Sequence, residues 1–170
     1  MKELLITGAW RCGEQQVQAL EQMGYVVTFW PDERQAVNMD TQRFEAVICG
    51  GLFLTTPIER FPALKCIQVT SAGLDRVPLD YCTAHGITVY NAGGVYSAPM
   101  AEFVLGGILQ LYKESKFFAE NQAAHRWEKH RGLRELSGKT ACIIGTGSVG
   151  SAIARRLRAF DVQTVGMNRS

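Results

Sequence analysis

Short apolar runs alternate with longer stretches of helical periodicity along the chain. Leu4-Leu5-Ile6 closes at Thr7-Gly8, and Tyr25-Val26-Val27-Thr28-Phe29 runs up to Pro31. Ala46-Val47-Ile48-Cys49 closes at Gly50-Gly51, Cys66-Ile67-Gln68-Val69 at Thr70-Ser71-Ala72-Gly73, and Ile87-Thr88-Val89-Tyr90 at Asn91. Runs of this length and composition, each closed by Gly, Pro or Asn, predict buried parallel strands. Between the first two, a helical pattern from about Gly13 to Met23 puts Val17 and Leu20 on one face, with Gly24 as its stop. Strands alternating with helices predict right-handed crossovers and an open α/β sheet.

Asn91-Ala92-Gly93-Gly94 is the best internal boundary. Beyond it, Ser97 is placed to cap a helix with Pro99 in its first turn, running to about Ala119. Phe103, Leu105, Ile108, Leu109, Tyr112 and Phe117 leave its first half apolar nearly all round, and Gly106-Gly107 would allow a close backbone approach. Such a helix is buried, either in a core or against a partner subunit. A polar stretch from Glu120 to Lys139 follows. The chain then reads as strand (Thr140 to Ile144), glycine turn, helix (about Val149 to Phe160) and strand (Val162 to Met167).

With 46% hydrophobic and 20% charged residues, the composition is that of an ordinary globular protein. A net charge of +2 is too small to argue for nucleic acid. The basic residues Arg126, Lys129, Arg131, Arg134 and Lys139 are interleaved with Glu128 and Glu135, as on a solvated face. The five cysteines are scattered and never spaced as CxxC, which predicts free thiols in a reducing, cytoplasmic setting and no zinc site. Cys49, Cys66 and Cys142 lie inside apolar runs, where a thiol acts as a small buried hydrophobe. No apolar window approaches the length of a membrane span.

The segment with most chemistry is Gly145-Thr146-Gly147-Ser148-Val149-Gly150. GxGxxG between a strand and a helix is the dinucleotide fingerprint. Gly145 permits the tight turn, Gly147 the approach of a pyrophosphate, and Gly150 close helix–strand packing. The amides of Ser148 and Val149 would meet phosphates at the positive end of the helix. The alternative is a turn that needs glycine for packing alone. At the end of the second strand, where a ribose-binding carboxylate is expected, stands Asn168, followed by Arg169 and Ser170. A guanidinium beside a hydroxyl suits a ribose 2′-phosphate, which favours NADP over NAD; otherwise Arg169 is simply the end of the chain.

Several stretches together resemble the D-isomer-specific 2-hydroxyacid dehydrogenases. Val69-Thr70-Ser71-Ala72-Gly73-Leu74-Asp75-Arg76-Val77 is similar to the family's substrate loop, and Gly86 to Asn91 to the strand leaving its substrate domain. Pro99-Met100-Ala101-Glu102 falls where the family starts its long interface helix. Trp127 and Glu135-Leu136-Ser137-Gly138-Lys139-Thr140 match the approach to its glycine motif.

The resemblance implies a flavodoxin-like parallel-sheet substrate domain (residues 1–95, without its return helix). After it comes the first strand-helix-strand of a Rossmann domain (residues 96–170), with the active site in the cleft between domains. It implies hydride transfer between NADP or NAD and a 2-oxo/2-hydroxy acid, whose carboxylate the amides of Ala72 and Gly73 would hold. It also implies a homodimer through the 97–119 helix.

The family's catalytic Arg, acidic residue and His would lie beyond Ser170. His85, His125 and His130 match none of them and read as surface residues, so residues 1–170 alone are expected to be inactive. The competing reading is a non-catalytic chain that acts by pairing or binding through the Ser97 helix. A two-strand piece of a Rossmann sheet should also leave Ile143, Ile144, Val162 and Val165 exposed, so that the chain aggregates, dimerises or is disordered past about Lys139.

Overall fold

The computed structural model describes residues 1–169. The chain divides into two compact units, Met1–Gly93 and Gly94–Ser170.

The first unit contains strands β1 (Lys2–Thr7), β2 (Tyr25–Trp30), β3 (Ala46–Cys49), β4 (Cys66–Val69) and β5 (Thr88–Tyr90), and helices α1 (Glu14–Gln22) and α2 (Leu79–Ala84). All five strands are parallel, in the order β2-β1-β3-β4-β5. This is the flavodoxin-like order expected, and it reverses direction between β1 and β3, the place where such sheets bind ligands.

The period-two alternation of the strands sorts their side chains onto two faces. Leu5, Val47, Ile67 and Val89 form one cross-strand row. The first three of these, with Cys49 and Val69, pack against Val37, Phe44, Leu52, Phe61 and Ile87. Leu4, Ile6 and Ala46 face the other way, against Leu20 of α1, Tyr25 and Cys66. Leu5 and Ile6 are fully buried, so truncating either to Ala would cost about 2–5 kcal/mol.

Helix α1 starts and stops as its sequence predicts. Gln16 Oε1 accepts from the Gly13 amide at 3.0 Å, and Gly24 follows the last turn with φ +88°. The crossover between β3 and β4 carries only single 3-10 turns, Leu52–Leu54 and Ile58–Arg60. Pro57 and Pro62 remove amides that a longer helix there would need.

The second unit contains α3 (Ser97–Tyr112), α4 (Ser115–Ala123), β6 (Thr140–Ile144), α5 (Ser148–Arg158) and β7 (Gln163–Met167). Strands β6 and β7 pair in parallel, and α3 packs on α5 around Leu105, Leu136, Leu157 and Val162.

Several expectations are corrected here. The helix foreseen from 97 to 119 is two helices, broken at Glu114, which is left-handed with φ +48°. The returning polar segment captures the end of α3: the Arg134 amide donates to the Tyr112 carbonyl at 3.2 Å, and Lys113 Nζ to the Arg134 carbonyl at 2.8 Å. Ser97 is the first helical residue rather than a cap, and no side chain caps α3.

Gly106 and Gly107 have open space where a Cβ would stand, so they serve no close approach among the described residues. Only Ala101 and Leu105 of α3 are buried, while Phe103 is 84% and Leu111 71% exposed. One facing helix cannot cover a belt that is apolar all round.

Ile144 is 82% exposed and Val165 more than half exposed, as anticipated, but Val162 is 5% exposed because it precedes β7 and inserts beside Leu157. All five thiols are free. Cys142 is exposed rather than buried, lying on the exposed face of the two-stranded sheet, whereas Cys82 on α2 is buried in the first unit's core. Among the described residues no helix is long and apolar enough to cross a membrane, and no group of three or more His, Cys, Asp or Glu could hold a metal.

Candidate functional site

Each unit presents a loop at the carboxyl end of its strands. In the first, β4 gives way to residues 70–73. The Thr70 amide donates to the Cys49 carbonyl at 2.8 Å and so prolongs the ladder by one step. Beyond it, the loop is held by its carbonyls. Ala92 N–H donates to Ser71 O at 2.9 Å, Asn91 Nδ2 to Ala72 O at 2.8 Å, and Ser71 Oγ to Gly73 O at 2.8 Å. Asn91 is fixed in turn by the Gly93 amide, which donates to its Oδ1 at 3.1 Å.

The amides of Ala72 and Gly73 donate to no protein group among the described hydrogen bonds, and both residues are exposed. Carbonyls tied back and amides left outward make a concavity for an anion. Asn91 was read from sequence only as a boundary residue. That an Asn closed a strand was the one available signal for its role.

In the second unit, β6 ends at the glycine turn. Gly145 has φ +93°, which disfavours any side chain, and its amide donates to Met167 O at 2.7 Å. A Cβ on Gly150 would stand 2.0 Å from the Gly145 carbonyl oxygen, so the helix packs on the turn only because that carbon is absent.

Gly147 differs from both. Its φ of −66° is open to any residue, and nothing lies within 4 Å of its Cβ position. The fold itself therefore makes no demand for glycine there, and the space it leaves faces outward. Ser148 and Val149 follow as the first residues of α5, where helix geometry leaves amides without intrahelical partners. Arg155, Arg156 and Arg158 sit in the last turn with no acid in the first, an arrangement aligned with a positive N-terminus.

Asn168 turns its Oδ1 back to accept from the Thr146 amide at 3.3 Å, so this side chain braces the turn. Arg169 follows at an exposed position, and Ser170 lies outside the described residues.

The histidines stand elsewhere. The His85 ring stacks on Tyr81 at 3.8 Å between centroids, with Nδ1 2.9 Å from the Tyr81 carbonyl. His125 terminates α4 with φ +52°. His130 is not the surface residue anticipated. It is half-buried against Phe117, with Nε2 2.8 Å from a Glu114 carboxylate oxygen but poorly aligned for a hydrogen bond. It borders a concavity of about 600 Å³ together with Phe118, Asn121 and Trp127. Cys49, beneath the first unit's loops, has its thiol pushed up to about 12 by burial and by the nearby Glu33 charge, which makes it inert.

The family model for the D-isomer specific 2-hydroxyacid dehydrogenase catalytic domain matches residues 5–164. The chain belongs to this family. Among curated relatives, it is 31% identical to a glyoxylate reductase of Thermofilum pendens over 144 residues, covering 79% of this chain and 42% of the relative. It is 28% identical to the D-3-phosphoglycerate dehydrogenase of Homo sapiens over 142 residues, covering 79% of this chain and 27% of that one.

Among solved structures, it resembles an NADPH-dependent glyoxylate/hydroxypyruvate reductase from Sinorhizobium meliloti in complex with citrate. The TM-score is 0.78 at 25% identity, covering all of this chain and 55% of that one. A D-lactate dehydrogenase from Aquifex aeolicus complexed with NAD and lactic acid shares the fold, with TM-score 0.75 at 23% identity over 96% of this chain and 50% of that one. The chain thus spans about half or less of the relatives it matches. Both loops lie inside the stretch matched to the 2-hydroxyacid dehydrogenase model.

Proposed function

We propose that the protein is an NAD(P)-dependent oxidoreductase of the D-2-hydroxyacid dehydrogenase type, acting between a 2-oxo and a 2-hydroxy acid in the cytoplasm. The observation that carries the dinucleotide reading is Gly147. Gly145 and Gly150 are explained by the fold, but Gly147 is glycine where the protein needs none, beside the leading amides of a helix. A pyrophosphate accounts for it. Gly145, Gly147, Ser148, Val149 and Gly150 would cradle the phosphates, and Asn168, Arg169 and Ser170 would face the adenosine ribose. The pairing of a guanidinium with a hydroxyl supports NADP over NAD. When bound, the nicotinamide supplies the hydride.

The chain's own part is to bind and orient. The amides of Ala72 and Gly73 would receive the substrate carboxylate, with Asn91 holding the loop so that they point outward. None of the three histidines makes a described contact with residues 70–74, and none is offered as the general acid. Residues 1–170 alone are therefore expected not to turn over. The exposed Phe103 and Leu111 support pairing of two copies through α3.

Titration of residues 1–170 with NADPH and NADH, followed by cofactor fluorescence, tests the reading. Saturable binding that is tighter for NADPH and lost in Gly147→Val is expected. Equal binding by wild type and Gly147→Val would refute it.

A further inference from the structure

The reversal point of the first unit's sheet, between the carboxyl ends of β1 and β3, is where this fold takes ligands. In this chain that place is filled by Glu33, which stands three residues after β2 and is half-buried. Its two carboxylate oxygens are shared out among separate donors. Gly50 N–H donates to Oε1 at 2.8 Å and Gly51 N–H to Oε2 at 2.6 Å. Thr7 Oγ1 lies 2.5 Å from Oε1 as a third donor, and the Thr7 side chain is itself buried. The main chain of Glu33 is tied as well, since Thr55 Oγ1 donates to its carbonyl at 2.7 Å.

Glu33 takes part in none of the described ion pairs, so backbone amides and a hydroxyl balance its charge. That is the donor set of an anion-binding backbone concavity rather than of a surface salt bridge. Two consecutive amides, each serving one oxygen, fit a planar carboxylate better than a monatomic anion.

We propose that Thr7, Gly50 and Gly51 form a carboxylate-binding site which the native chain occupies with its own Glu33, and that a small free carboxylate binds there once that side chain is removed. The site also positions its surroundings. The Gly50 Cβ position lies 3.2 Å from Thr70 Oγ1, and the Thr70 amide is bonded to Cys49. The Glu33 carboxylate is therefore bonded to the residue that follows Cys49, the strand end to which the start of the 70–73 loop is tied. That consequence for substrate binding rests on the function proposed above. The carboxylate site does not, because its test uses neither substrate nor cofactor.

Residues 1–170 carrying Glu33→Ala are melted while tryptophan emission is followed. Trp30 is a local reporter, since its indole nitrogen donates to Gln35 O at 3.2 Å in the segment that carries Glu33. Loss of charge-assisted bonds from part-buried donors should lower the melting temperature by about 5–10 °C. Millimolar formate should restore part of this saturably, and chloride at matched ionic strength should not. Wild type and Glu33→Gln, whose side chains still fill the site, should not respond to formate.

A Glu33→Ala chain that melts like wild type, or formate shifts equal in all three proteins, overturns the proposal. If Glu33→Ala folds only when formate is present, the proposal stands. If it folds in neither salt, Glu33→Gln decides by hydrogen exchange at Gly50 and Gly51. Exchange faster by about tenfold supports the site, and unchanged exchange overturns it.

Discussion

Gly150→Ala sets two effects of opposite sign against each other. Gly150 lies inside α5, where replacing glycine by alanine in an open helical site stabilises by about 0.5–1 kcal/mol. Helix propensity alone therefore predicts a better protein. The packing argues otherwise. The new carbon would stand 2.0 Å from the Gly145 carbonyl oxygen, 3.1 Å from its carbon and 3.2 Å from Ile143 Cγ2.

Two of these neighbours are backbone, and the turn they belong to is pinned by the Gly145 amide on Met167 and by φ +93°. Neither can rotate aside as a side chain tip would. To reach an ordinary contact distance, the helix start must retreat by about 1.4 Å, and overpacking of that kind costs roughly 1–3 kcal/mol or more. The retreat also pulls Leu157 and Val162 apart, which loosens the second unit's cluster. The clash wins, and a net loss of about 1–2 kcal/mol is expected.

Urea unfolding of residues 1–170 followed by far-ultraviolet circular dichroism measures it, with hydrogen exchange across 148–158 to place the loss in α5. Gly147→Ala is the internal control. It meets nothing within 4 Å and should change stability by less than about 0.5 kcal/mol, while weakening NADPH binding. A Gly150→Ala protein as stable as wild type would sink the packing argument.

Other consequences follow from particular contacts. Asn91→Ala unpins the Ala72 carbonyl, so stability should fall by about 1 kcal/mol and amides 71–73 should exchange faster by hydrogen-exchange mass spectrometry; unchanged exchange would remove Asn91 from the loop's support. Gly107→Ala, in open space within α3, should stabilise by about 0.5–1 kcal/mol in a thermal melt, and destabilisation would reveal a close neighbour.

Alkylation with mass-spectrometric mapping should label exposed Cys142 quickly and Cys49 only on unfolding, because burial and the Glu33 charge hold the Cys49 thiol at about 12. The hydrogen bond from Lys65 Nζ, 2.6 Å from Glu45 Oε2, holds the Glu45 carboxyl below its ordinary value. Its contribution is therefore complete above the ordinary carboxylate range and lost as pH falls through the lowered folded-state value. Carboxyl titration by NMR should show that lowered midpoint rising toward its ordinary value in Lys65→Met.

What could be read from the residues alone, and what could not, divides by the range of the interaction. The strands were legible because period-two alternation is local and each run ends at its own Gly, Pro or Asn. The glycine turn was legible because strand, turn and helix are contiguous. The break at Glu114 was not. The apolar periodicity runs on to Phe117, while the event that stops α3 is a bond from Arg134, which reaches it only in the folded chain. Cys142 and Val162 were misjudged for the same reason: whether a face is covered depends on which layer lies over it, and no local pattern states that.

Glu33 and the bracing role of Asn168 escaped for a shared reason. Glu33 comes just after β2 and Asn168 just after β7, and each of those strands is the second of its own strand-helix-strand unit. From that position each reaches backbone amides beyond the carboxyl end of another strand of its sheet: Glu33 passes over β1, whose Thr7 hydroxyl it meets, to Gly50 and Gly51 beyond β3, and Asn168 reaches Thr146 beyond the adjacent β6. A parallel sheet ends its strands with their carboxyl ends together, so a polar residue just past one strand is poised over loops that follow the strands nearby.

The ribose-binding acid of the dinucleotide fingerprint occupies this same position. Here the position does internal work in both units, with a carboxylate in one and an amide in the other. An acid after a second strand is therefore evidence of a ribose contact only once the neighbouring loop has been shown to leave that side chain unspent. By that criterion the outward-facing space at Gly147 is a stronger sign of a nucleotide than the residue at 168.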